Sequence, residues 1–233
     1  MSKRIQLFDA LRGLSILLML VHHAAIDLVG LHVLPNRLVF NPVVSTLQFV
    51  FASVFILLCG FSSEFSRHNF RRAGLLLVCA YALSLVTSFV PSAYIRFGIL
   101  HCLGYSILIY ALIGKRISRV SAKTWCLLFL LGYAVYVLVN AGYWENPDHL
   151  WMLGIVPPGF ASADYFSLMP WFFLFMLGCK LGCAAKEGKL PNWVYSFRSK
   201  FFAAVGRHTL VIYLVHQPIF YGVFYLLGLY NPS

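Results

Sequence analysis

The sequence predicts an all-α polytopic membrane protein, a bundle of about seven transmembrane helices with its N-terminus cytoplasmic and its C-terminus outside. Three observations predict it. First, 61% of the residues are hydrophobic and only 11% are charged, against roughly 45–50% and roughly 25% in soluble domains, and the mean hydropathy is +0.80. Second, uncharged apolar runs of the length that crosses ~30 Å of hydrocarbon recur along the chain, without the period-two alternation of barrel strands. Third, Lys and Arg gather between alternate runs, the asymmetry that holds loops in the cytoplasm.

The runs lie at about 9 to 29, 43 to 63, 73 to 92, 98 to 114, 122 to 141, 165 to 184 and 207 to 229. Lipid offers a backbone no hydrogen-bond partner, so each is expected to be a helix. No internal repeat, heptad or low-complexity linker separates them, and 1 to 233 reads as a single transmembrane domain. The first run follows Lys3 and Arg4 and so imitates a signal peptide. Asp9 and Arg12 intrude on it, however, and no small-x-small cleavage site follows, so it reads as retained.

With seven spans, the segments "SRHNFRR", "GKRISRVSAK" and Lys180 to Arg207 share a side with the N-terminus and hold thirteen Lys and Arg. Lys3 and Arg4 add two, whereas the opposite side has Arg37 and Arg96 and the acidic Glu145, Asp148 and Asp164. The net charge of +11 therefore follows from topology, and a nucleic-acid partner is not expected. Cys59, Cys79, Cys102, Cys126, Cys179 and Cys183 all fall within spans, as packing residues rather than a disulfide framework. No ligand-spacing motif accompanies them, and no metal is expected.

The first span, "DALRGLSILLMLVHHAAIDL", is unusual in carrying an arginine, two histidines and two aspartates. At about 100° per residue, Arg12 and His23 fall within about 20° of one another after three turns. Met19 and Asp27 flank His23 on that face, Asp9 lies one turn before Arg12, and His22 points about 100° away. At ~1.5 Å per residue Arg12 and His23 are ~16 Å apart, about half the hydrocarbon thickness. An interfacial Arg12–Asp9 pair and packing histidines would account for these residues without chemistry. Intramembrane ionisable groups are costly, though, and mark sites more often than they merely pack.

Other spans add to the same pattern. "PSAYIRFGILHCLGYS" puts Arg96 and His101 at the outer end of the fourth, and "SADYFSLMPW" puts Asp164 at the outer start of the sixth, so all three are expected at the depth of His23 and Asp27. "TLVIYLVHQPIF" puts His216 and Gln217 about two turns into the last span, beside Pro218, which lacks an N–H and frees a carbonyl. The result is a polar seam from a basic cytoplasmic surface to a His, Asp and Arg cluster near the outer face.

Taken in order, "DALRGLSILLMLVHHAAIDL", "FILLCGFSSEFSRHNFRRAGLLL", "IRFGILHCLGYSILI", "ADYFSLMPWFFLFMLGCKLG" and "VGRHTLVIYLVHQPI" give a chain that resembles the catalytic membrane domain of the heparan-alpha-glucosaminide N-acetyltransferase family, within the transmembrane acyltransferase superfamily, and its short bacterial members especially. The superfamily's arginine, ten residues, histidine spacing falls on Arg12 and His23. The resemblance implies a single acyltransferase-like domain that moves an acetyl or other acyl group from cytoplasmic acyl-CoA to an amine or hydroxyl of a sugar or glycan-type acceptor outside, in the cell (plasma) membrane. It implies His23 as the catalytic histidine, and acetyl-CoA as co-substrate with no metal.

For that chemistry a neutral imidazole can take the nucleophile's proton as a general base, or carry the acyl group itself. Asp27, Asp164 or His101 could orient the ring, and Arg96 or His101 could serve as oxyanion donor. CoA phosphates need cations, for which Arg67, Arg71, Arg72, Lys115 and Arg116 at cytoplasmic mouths are candidates, with Asn69 as a hydrogen-bond donor. Arg12, His216 and Gln217 are the alternative donor residues. Trp144 and Trp151 in the outer segment 142 to 164 could cover a sugar, although interfacial aromatics need no ligand. Larger family members carry further spans and a lumenal domain, so heparan sulfate and a lysosomal setting are not carried over. A small-molecule or lipid-linked-sugar transporter could use the same seam, against which stands the lack of an internal repeat. The oligomeric state is left open.

The charge asymmetry makes one expectation testable without a fold. A tag placed after Ser233 is expected to react with an impermeant label on intact cells, and labelling only after permeabilisation would reverse the orientation.

Overall fold

The computed structural model describes residues 5–90, 93–117, 119–142 and 147–229, with the side chain of Lys115 outside that set. Lys3, Arg4, Trp144, Glu145 and the C-terminal residues 230–233 lie outside the described residues. The described residues form nine α-helices and no strand: α1 Gln6–Gly30, α2 Pro42–Phe65, α3 Asn69–Thr87, α4 Ile99–Ile117, α5 Ala122–Val139, α6 Trp171–Lys186, α7 Asn192–Ser196, α8 Lys200–Arg207 and α9 Thr209–Leu226. Of these, α1, α2, α3, α5 and α9 are long and apolar enough to cross a membrane. In α4 the apolar part is Ile99–Gly114, and α6 has 16 residues.

Local chemistry explains where the helices begin. Asn41 Oδ1 accepts from Val44 N–H at 3.0 Å ahead of Pro42, whose missing N–H costs nothing in a first turn. Ser121 Oγ accepts from Thr124 N–H at 3.1 Å and caps α5. The sixth apolar run was expected to become helical at 165 but does so only at Trp171. Residues 163 to 166 instead run beside 94 to 97: Ala163 N–H donates to Tyr94 O at 2.9 Å and Phe166 N–H to Phe97 O at 3.0 Å. Pro170 then stands at the N-cap of α6. Within the basic segment from Lys180 to Arg207, the short helices α7 and α8 form before α9.

The chain divides into two compact units, Met1–Phe55 with Leu190–Ser233, and Ile56–Lys189. In the first, α1 packs against α7, α8 and α9. The α1–α8 crossing is close because both sides are glycine: a Cβ on Gly13 would meet the carbonyl of Phe202, and one on Gly206 would meet that of Asp9. In the second unit α3 packs on α4, and α6 on α4 and α5. Here too "GCKLG" sets Gly178 and Gly182 one turn apart, and a Cβ on Gly178 would strike the carbonyl of Leu57, while one on Gly182 would lie 2.9 Å from that of Phe61. Small residues let helices touch backbone to backbone where lipid supplies no hydrophobic drive.

Outward faces are apolar. Val78 is 68% exposed and Leu130 59%, and α5 buries only Trp125. Several polar groups lie inside, with Asp9, Ser15, Ser63, His101, Ser106, Ser167 and His216 buried. A hydrocarbon solvent accounts for both distributions.

The Gly178 contact generates a direct test. Gly178→Ala is expected to destabilise the protein by about 1–3 kcal/mol, as overpacking does, read as a lower thermal midpoint in detergent. Gly222→Ala, where nothing lies within 4 Å of the added methyl, is expected to leave the midpoint unchanged or raise it slightly.

Candidate active site

The first unit brings four of the sequence-derived residues together. On α1, His23 faces His216 of α9, with Nδ1 of the first 3.0 Å from Nε2 of the second and ring centroids 5.0 Å apart. His216 Nδ1 lies 2.5 Å from the carbonyl oxygen of Tyr213, one turn earlier on α9, and Phe220 stands edge-on to the same ring. Gln217 Nε2 is 3.4 Å from His23 Nδ1, and its side chain also neighbours the Asp27 carboxylate. His216 and Gln217, read from sequence as possible donor-binding residues, are thus neighbours of the histidine that carries the resemblance. His22 turns elsewhere, as the helical wheel required, toward Gln48 of α2.

Toward its N-terminus, α1 presents Arg12, whose Nη1 donates to Asp9 Oδ1 at 3.1 Å and to the carbonyl of Gly206 at 3.4 Å. Beside this pair lies a cavity of about 360 Å³ lined by Gln6, Asp9, Ser199, Lys200, Ala203 and Arg207. In the sequence, Lys200 and Arg207 count only toward topology. The available signal was "KFFAAVGR", a short amphipathic stretch with a cation at each end, directly before the last span. The cavity and His23 sit along one helix, with Arg12 and His23 ~16 Å apart.

In the second unit the other acidic and basic residues hold local structure. Asp164 Oδ2 accepts from Ile99 N–H at 2.9 Å, capping the first turn of α4, and Gly98 leaves the room for it, since a Cβ there would meet the carboxylate. His101 is buried, stacked on Phe97 and edge-on to Tyr81. Its Nδ1 accepts from Gly98 N–H at 3.2 Å, so in the neutral ring Nε2 bears the proton and donates to Ser84 Oγ at 3.5 Å. Arg96 is exposed, its guanidinium over the rings of Tyr94 and Phe160. Nearby a cavity of about 530 Å³ is lined by Tyr136, Asn140, Phe160, Ser162 and Tyr165 among others. Asn140 shapes it by donating to Gly154 O at 2.7 Å and accepting from Val156 N–H at 2.8 Å. Trp151 stacks near Phe160.

Of the proposed donor-binding group, Asn69 donates to Ser63 O at 2.8 Å, and Arg72 to Ser62 O and to Asn69 Oδ1. Both therefore close the α2–α3 turn. Arg67, Arg71 and Arg116 are exposed, and the Lys115 side chain lies outside the described residues. Among the described residues no three His, Cys, Asp or Glu side chains form a group that could hold a metal.

Fold and site together define a polytopic membrane protein with a histidine pair set between two membrane-length helices. The chain belongs to the family described as heparan-alpha-glucosaminide N-acetyltransferase, catalytic, which matches it over residues 4–218, nearly its full length. Acyl transfer by a membrane protein is accordingly the class of activity that the family supports. Comparison with curated proteins and with solved structures gives no match.

Proposed function

We propose that this protein transfers an acyl group, typically acetyl, from acyl-CoA at the cytoplasmic side to an amine or hydroxyl of a sugar or glycan-type acceptor at the outer side, in the cell membrane. The observation that carries the reading is His23, held by His216 within the apolar part of α1 and on the helix face that begins at Arg12. Seven spans are invoked, with α4 and α6 as the two shorter ones. At ~1.5 Å per residue α6 is ~24 Å long, a mismatch that local thinning of the bilayer accommodates. The N-terminus is cytoplasmic, on the strength of the flanking Lys and Arg.

In this reading the donor's phosphates sit at the cavity of Lys200 and Arg207, with Arg12 behind it, in preference to the α2–α3 turn where Asn69 and Arg72 are already engaged. The uncharged pantetheine arm then runs along α1 toward His23. As the acceptor nitrogen or oxygen bonds to the thioester carbonyl carbon, its proton passes to the imidazole; the C–S bond breaks, and the CoA thiolate takes that proton up. Asp27 reaches the ring through Gln217. Asp164 and His101 serve the framework at the start of α4, and Arg96 with the aromatic cavity of Phe160 and Tyr165 offers the outer side a surface on which a sugar ring can stack.

Two predictions follow, each read on protein in nanodiscs with acetyl-CoA. His23→Ala is expected to fold and bind CoA as the wild type does while losing about 10²–10⁴-fold in transfer or in slow acetyl-CoA hydrolysis, with His22→Ala losing far less. A folded His23→Ala protein of normal activity would overturn the assignment, and a wild type that neither binds nor hydrolyses acetyl-CoA would favour a transporter. The Lys200→Gln, Arg207→Gln double variant is expected to weaken CoA binding by a factor that shrinks at high salt, because screening reduces what the lost charges contributed. Unchanged affinity would move the donor to Arg67, Arg71 and Arg116.

A further inference from the structure

We propose that His216 is a positioning residue that fixes the tautomer of His23, so that Nδ1 of His23 carries the proton and Nε2 presents the lone pair. The inference rests on the acyl-transfer reading for its purpose, though not for its geometry. It begins at the carbonyl of Tyr213, which can only accept. His216 Nδ1 stands 2.5 Å from that oxygen, and two lone pairs at that separation would repel, so Nδ1 is the protonated nitrogen. In a neutral imidazole the other nitrogen is then an acceptor. His216 Nε2 therefore accepts, and the group 3.0 Å from it, His23 Nδ1, donates.

The competing partner is weaker. Gln217 Nε2 reaches His23 Nδ1 only at 3.4 Å, near the limit for a hydrogen bond, and an amide assignment can be turned end for end. If Gln217 instead donated to a bare Nδ1 of His23, His216 Nε2 would have to carry a proton as well, and a neutral His216 would then set an unprotonated Nδ1 against the Tyr213 carbonyl. His216 is 6% exposed and its ring lies close to those of Tyr213 and Phe220, which leaves it little room to turn. Among the described residues no hydrogen bond engages His23 Nε2.

The arrangement has the logic by which a third group holds a catalytic imidazole in the useful tautomer, with a neutral ring anchored on a backbone carbonyl in place of a carboxylate. The acceptor's proton arrives at Nε2 and leaves from Nε2 to the CoA thiolate, while Nδ1–H stays on His216 throughout. A neutral orienting group suits a site between apolar helices, where a bare carboxylate is costly.

The test compares His216→Leu with His216→Gln in nanodiscs. Leu fills space and cannot accept, whereas the Gln amide oxygen can stand where Nε2 stood. His216→Leu is expected to lower kcat about 10²-fold or more with KM for acetyl-CoA unchanged, and His216→Gln to recover at least about tenfold of that. Nitrogen-15 NMR of ring-labelled histidine, assigned by a His23 substitution, is expected to find wild-type His23 protonated at Nδ1 and bare at Nε2, and a tautomer mixture in His216→Leu. A wild-type His23 protonated at Nε2 overturns the proposal, as does an active wild type matched in kcat by His216→Leu. If His216→Leu fails to fold, the wild-type spectrum decides. Failure of the wild type to use acetyl-CoA, with the Nδ1 tautomer intact, would count against the acyl-transfer reading and leave the positioning geometry standing.

Discussion

In hydrocarbon a helix satisfies its own backbone, but a polar side chain must find its partner on the same or a neighbouring helix, because no water competes for it. Much of the structure follows from that constraint. Arg12 pairs with Asp9 and with the backbone of α8; Glu64 accepts from Lys186 at 2.8 Å and from the hydroxyl of Tyr110; His23 meets His216. Each of these contacts joins elements within one compact unit, and each sits on a face that the apolar residues leave free by turning outward.

Such contacts need helices at particular distances, and glycine sets those distances. The Gly13–Gly206 approach brings the backbone of α8 within reach of Arg12, and Gly178 and Gly182 bring α6 against α2 where Glu64 and Lys186 pair. A methyl group at these positions would push the helices apart and lengthen the polar contacts with them. Close packing and polar pairing are therefore one constraint in this fold, and the cavity beside Arg12 is shaped by the same glycine crossing.

For the proposed function, the arrangement along α1 matters most. The proposed donor, charged at one end and reactive at the other, would use the cavity of Lys200 and Arg207 near one end of α1 and the histidine that lies ~16 Å beyond Arg12 on the same helix. Residues that the sequence marks as site candidates, or counts only toward topology as it does Lys200 and Arg207, divide by role. Asp164 and His101 secure the entry to α4, and Asn69 and Arg72 secure the α2–α3 turn, whereas Lys200, Arg207 and His216 gain significance from their neighbours.

What the sequence by itself determined was the solvent, the helical class and the face of α1, because hydropathy, backbone satisfaction in lipid and a 100° periodicity act within single segments. Arg12 and His23 share a face, and His22 points away, whatever the tertiary structure does. The start of α6 at Trp171 was not legible, because residues 163 to 166 pair with 94 to 97, nearly seventy positions away in the chain. The glycine pair in "GCKLG" was visible, but the helix it would meet was not. Only the tertiary structure decided that Lys200 and Arg207 line a cavity with Asp9, that Asp164 caps α4, and that His216 rather than an acid touches His23. Those are contacts between distant segments, and their geometry arises from helix crossings that no local pattern encodes.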